Sequence, residues 1–147
     1  MNRAHRRAAA AAAVLTLAGC GGPAQQPMPT GPLAAAADQR AAHAVVATDP
    51  SMNCIARTFG LQPADAKTID QVATVYAWVF CQSKTSDTGE VVPAAIAQDG
   101  AVRIPSDADL AGDIKRIFPA DVRDRATDEP QSMVDLVAGL PSGPPPN

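Results

Sequence analysis

The sequence predicts an α+β domain, with helices packed on a short antiparallel three-stranded meander and one disulfide. Three observations carry this reading. VATVYAWVFCQSK, residues 72–84, is rich in β-branched and aromatic side chains that alternate at period two. Asp99-Gly100 is a two-residue hairpin signal between two more β-prone runs. The segments 33–48, 49–60 and 106–118 have helical spacing or composition instead.

The chain begins MNRAHRRAAAAAAVLTLAGC, with Arg3, Arg6 and Arg7 as a basic head and no acidic residue before Asp38. Ala8 to Leu17 is an uncharged run of ten residues. As a helix it would reach about 15 Å, half the core of a bilayer, too short to span but suited to the apolar stretch of a signal peptide. The run ends in Leu17-Ala18-Gly19-Cys20, which resembles the lipobox of bacterial lipoproteins. The resemblance covers residues 1–20, with basic head, apolar run and box in order.

The resemblance implies that residues 1–19 are a signal peptide, cleaved before Cys20. The Cys20 thiol would receive a diacylglyceryl group and become the acylated N-terminus of the mature chain. Two acyl chains of the palmitate kind hold firmly where one is marginal, at about 0.8 kcal/mol per buried methylene. The protein would then be anchored in the cell membrane on the extracytoplasmic face of the envelope. The alternative for Cys20 is an ordinary thiol following a plain signal peptide. The Arg6-Arg7 pair admits twin-arginine export, although the alanines after it favour the general secretory route.

Residues 20–32 form the lipid-bearing cysteine and a Pro/Gly-rich linker, GGPAQQPMPTGP from Gly21, read as a flexible spacer. The folded domain is assigned to 33–127 and a C-terminal tail to 128–147, with a possible short helix at 133–140. LAAAADQRAAHAVVAT, residues 33–48, has high helical propensity but a weak apolar stripe. In TDPSMNCIARTFG, Asp49 is read as a cap, Pro50 as the first helical position and Gly60 as the stop. Met52, Ile55, Ala56 and Phe59 then share one helical face.

In the long strand, Tyr76, Trp78 and Phe80 fall on one face and Val75, Ala77, Val79 and Cys81 on the other. SDTG, residues 86–89, turns the chain into the second strand, EVVPAAIAQ, where Pro93 requires an edge or a bulge. AVRIP, from Ala101, is the third strand. SDADLAGDIKRIFP reads as a helix with Ser106 and Asp109 near a capping box, and with Leu110, Ile114, Ile117 and Phe118 on one face. Pro119 ends it and ADVRDRA adds a turn.

The chain has 12 Lys+Arg against 15 Asp+Glu, and loss of Arg3, Arg6 and Arg7 with the signal leaves the mature part at net −6. No basic stripe with stacking groups remains, so nucleic acid is not a partner. Alanine is the largest contributor to the 46% hydrophobic content, so the core is modest and a staple is useful. Cys54 and Cys81 provide it. In an exported chain an even pair reads as a bridge, here from the 49–60 helix to the small-residue face of the long strand.

No catalytic residue, metal site or cofactor is assigned. His43 is the only histidine of the mature part, and no CxxC, HxxxH or GxSxG spacing occurs. DADLAGD, from Asp107, resembles the start of an EF-hand loop, but Ala111 and Phe118 stand where oxygen ligands are needed. Asp121 and Asp124 lie among Arg123 and Arg125 as a charged solvent face. The face carrying Tyr76, Trp78 and Phe80 is either a binding surface or core, and the 106–118 helix is expected to cover it.

Beyond the lipobox the chain is similar to small, alanine-rich actinobacterial lipoproteins in composition and layout. No functional residue follows from that likeness. The expected function is a membrane-anchored envelope lipoprotein with a non-enzymatic binding or interaction domain for another envelope protein or ligand. The rival readings are a carrier of a small apolar ligand between sheet and helix, and an envelope hydrolase.

Overall fold

A computed structural model describes residues 21–86 and 88–128, together with Met133 and Val137. The expectations for residues 1–19, for Cys20 and for most of the tail after 128 lie outside these residues. The elements are α1 (Gly31–Thr48), β1 (Met52–Gln62), β2 (Thr74–Ser83), β3 (Gly89–Ala97), β4 (Val102–Arg103), α2 (Leu110–Ile117) and α3 (Ala120–Thr127). The class is α+β, as expected, with four antiparallel strands in the order β1-β2-β3-β4.

The extra strand is the segment expected to be the 49–60 helix. It is β1, paired with β2 from Met52↔Ser83 to Gln62↔Thr74. Asp49 and Pro50 belong to the turn before it, where Asp49 accepts hydrogen bonds from the Ser51 N–H at 3.0 Å and the Ser51 hydroxyl at 2.6 Å. Asn53, Cys54, Ile55, Thr58 and Phe59 are indifferent helix formers, and a full ladder along β2 outweighs an apolar stripe of four residues.

Both faces of β2 are covered, which explains its unbroken burial from Val75 to Phe80. On one face α1 lays Ala37, Ala41 and Val45 over Ala56, Val75, Ala77, Val79, Ala94 and Ile96. The alanines allow close approach, as the small-residue face suggested, but the helix that uses it is α1. On the other face α2 and α3 enclose the aromatic side chains. Ile114 and Phe118 are buried there and Ile117 partly so, whereas Leu110 points to solvent at 53% exposure. Val122, Ala126 and Met133 complete that layer.

β1 slips register between Thr58 and Gly60, so Phe59 is an extra residue opposite Tyr76. The bulge turns Phe59 and Gly60 toward the α3 side while Leu61 returns to the α1 side. A hairpin forms at Asp99-Gly100, but its loop has three residues, Gln98 to Gly100, rather than the two expected: Ile96 pairs with Val102, the Ala97 N–H donates to the Ala101 carbonyl at 2.9 Å, and Gly100 has φ +89°. β4 is only two residues long, pairing Ala95↔Arg103 and Ile96↔Val102. Pro93 lies beyond that pairing, on the open stretch of β3, and so meets the edge requirement. Among the described residues no helix is long and apolar enough to cross a membrane.

Candidate functional site

Cys54 and Cys81 are bonded and sit directly opposite each other, with Cα atoms 4.2 Å apart. The pairing is as predicted, but the bridge joins neighbouring strands, because Cys54 lies on β1. It fastens the β1–β2 ladder near its Met52–Ser83 end.

Tyr76, Trp78 and Phe80 do not form a binding surface. They are 3%, 4% and 7% exposed and belong to the second core. The physical reason is the bulge together with two helices: Phe59 packs against Trp78 with ring centroids 4.3 Å apart and planes tilted by 48°, and Phe118 lies 5.9 Å from both Phe59 and Tyr76. These rings fill the space between sheet and helices. The Tyr76 hydroxyl donates to Gln62 Oε1 at 2.8 Å, and burial pushes its pKa up.

The polar groups that converge do so along the open edge of β1. Asp38 of α1 accepts from the Thr58 N–H and the Thr58 hydroxyl, both at 2.7 Å, and from Arg57 at 3.2 Å. Arg125 of α3 donates to the Phe59 carbonyl at 2.9 Å. Gln26 accepts from the Leu61 N–H at 3.1 Å. Three side chains from three segments thus satisfy successive groups of an edge strand that would otherwise invite pairing with another chain.

Gln26 is fixed in turn. Its N–H donates to the Asp121 carbonyl at 3.0 Å, its side-chain amide donates to the Asp121 carboxylate at 2.6 Å, and its carbonyl accepts from Arg125. Gln25 donates to Asp124 at 3.0 Å. The segment read as a free spacer is therefore fastened at Gln25 and Gln26. Asp121, Asp124 and Arg125, read as a solvent face, are its partners. Sequence reasoning missed this clamp. The one signal was a pair of glutamines inside a stretch otherwise of Pro, Gly and small residues, where an amide offers both donor and acceptor.

Several other ionisable groups serve local structure. Arg40 donates to the carbonyls of Val72 and Ile69 at 2.8 and 2.6 Å. Asp109 caps α2 by accepting from the Gly112 N–H at 3.2 Å. Asp113 accepts from the Ser106 hydroxyl at 2.6 Å and the Ser106 N–H at 2.9 Å, and pairs with Arg116. Those contacts, the Ser106 hydroxyl first, lower the Asp113 pKa to about 2. His43 is exposed on α1. Among the described residues no three His, Cys, Asp or Glu side chains group as metal ligands would.

No protein-family model matches the chain, and comparison with curated proteins and with solved structures finds no match.

Proposed function

We propose that this chain is an envelope lipoprotein in which an acylated Cys20 carries a small non-enzymatic interaction domain on the extracytoplasmic face of the membrane. The observation that carries the reading is the order of arginines, apolar run and Leu17-Ala18-Gly19-Cys20 within the first twenty residues. A disulfide between Cys54 and Cys81 accords with an oxidising compartment.

Two features of the domain support interaction over catalysis or carriage. Its aromatic face is packed by Phe59 and Phe118, so the seat proposed for an apolar ligand is filled by the protein's own rings. Asp38, Arg40, Asp109, Asp113, Asp121 and Arg125 are engaged in capping and fastening.

Detergent-phase partitioning of the mature protein tests the anchor. Wild type enters the detergent phase and Cys20→Ala remains aqueous. Equal partitioning of the two rejects the reading.

A further inference from the structure

We infer that the C-terminal segment carrying Met133 and Val137 is a detachable strap, seated by those two residues over the Phe80 end of the aromatic layer and closing an apolar groove there. The inference does not depend on acylation of Cys20. Met133 is fully buried, Val137 is partly buried, and both belong to the layer that holds Phe59, Trp78 and Phe80. Both have helical backbone, and a spacing of four puts them on one helical face. The sequence extends that face, because Met133, Leu136, Val137 and Leu140 recur at i, i+3, i+4 and i+7. Ser132 and Asp135 match a helix start signal, and Pro141 a stop.

The place of the seat follows from what the other elements cover. Across the sheet, Gly60, Tyr76 and Ala95 form one row, and Ile55, Phe80 and Val91 form another farther along β2. Phe118 lies against Tyr76, and Val122 against Gly60, so α2 and the start of α3 occupy the first row. Arg125 reaches the Phe59 carbonyl, so α3 advances from Gly60 toward Ile55 and stops at Thr127. Asp128 and Met133 are five Cα steps apart, a reach of at most about 18 Å that carries the chain on over the second row. Phe80 is buried there, with Ile55 and Val91 partly so.

Detachment follows from the balance of burial and order. The α1 side of the sheet has its own core, built from Ala37, Ala41, Val45 and the residues facing them, and the strap is no part of it. Met133 and Val137 bring one fully buried and one partly buried side chain to the seat. That gain is of the same order as the entropy lost when a helical turn is ordered, so the strap is held marginally. Its release bares Phe80 and Trp78 while the sheet and α1 stay folded.

Native-state hydrogen exchange of the mature protein tests detachment without any substitution. Amides at Met133 and Val137 should exchange at least about 100-fold faster than those from Val75 to Phe80. Equal protection would overturn detachment, since the strap would then open only with the whole domain. Trp78 is the single tryptophan and reports the seat. Met133→Asp places a charge in an apolar site, so acrylamide quenching of Trp78 should rise about two-fold or more while the β2 amides keep their protection. A separate peptide of residues 129–140 should return that variant to wild-type quenching, and the same peptide with Met133→Asp should not. Unchanged quenching in the variant, or no rescue by the wild-type peptide, would overturn the seat. Loss of β2 protection in the variant would overturn detachment. Quenching of wild type that varies with protein concentration would place a second copy's segment in the groove and overturn the strap.

Discussion

Val122 of α3 lies against Gly60 of β1 so closely that no side chain fits between them. A Cβ at Gly60 would collide with Cγ1 of Val122 and lie 3.3 Å from its Cβ. Gly60 is the residue where the β1 bulge resumes register, so the contact joins α3 to the bend in the edge strand. Gly60→Ala should destabilise the domain by about 1–3 kcal/mol through overpacking. A double-mutant cycle with Val122→Ala, read by urea unfolding, should return part of that loss as a coupling of at least about 0.5 kcal/mol. Purely additive effects would place the strain elsewhere.

Trp78 is the centre of the aromatic core, packed against Phe59 and flanked on β3 by Pro93. Trp78→Ala should cost about 3–5 kcal/mol by leaving a cavity. An exposed tryptophan would be replaced with little change, so a loss below about 1 kcal/mol in chemical denaturation contradicts the core assignment.

Much of this packing was legible from period-two alternation. Val72 to Lys84 has one regular repeat, β-branched residues throughout and both faces apolar, so the strand and the division of its faces could be read directly. Met52 to Gln62 could not be read the same way. Its apolar residues satisfy a helical stripe and a strand alternation alike, and the bulge at Phe59 breaks the period that would have decided between them. Pro50 and Gly60 added to the error, because a turn and a bulge use the same residues as a helix start and stop. The cysteine pair was legible as a pair but not as a cross-strand bridge, since that depends on β1. The clamp was hidden for another reason. It joins residues about a hundred positions apart through amide and carboxylate groups, which carry no periodic signal.

Asp38 is the side chain that seals the edge at Thr58. Asp38→Ala leaves the Thr58 N–H and its buried hydroxyl without their acceptor. The expected loss is about 1–3 kcal/mol. Amide exchange should show it locally, with the Thr58 N–H losing protection before the β2–β3 ladder does.

The Cys54–Cys81 bridge closes a loop across a sequence separation of 27 residues. Cys54→Ala with Cys81→Ala should lower stability by about 2–4 kcal/mol under oxidising conditions. The same pair of changes should have little effect on the wild-type baseline measured in strong reductant. Two alkylatable thiols in the unreduced mature protein would refute the bridge.

Asp113 gives the domain a sign in acid. Its folded pKa of about 2 lies below the ordinary carboxylate value, so its contribution is fully present above about pH 4 and fades as the pH falls toward 2. A carbon-detected titration of its carboxyl should show the low midpoint. Ser106→Ala should move that midpoint upward, because the Ser106 hydroxyl is the largest cause of the depression.

Anchoring depends on Cys20, and the intact mass of the mature protein purified from its membrane tests it most directly. The predicted result is a chain that begins at Cys20 and carries the added mass of a diacylglyceryl group, with Cys20→Ala accumulating as the uncleaved, unacylated precursor. A wild-type chain cut elsewhere, or one that begins at Cys20 with no acyl mass, would contradict the lipoprotein reading.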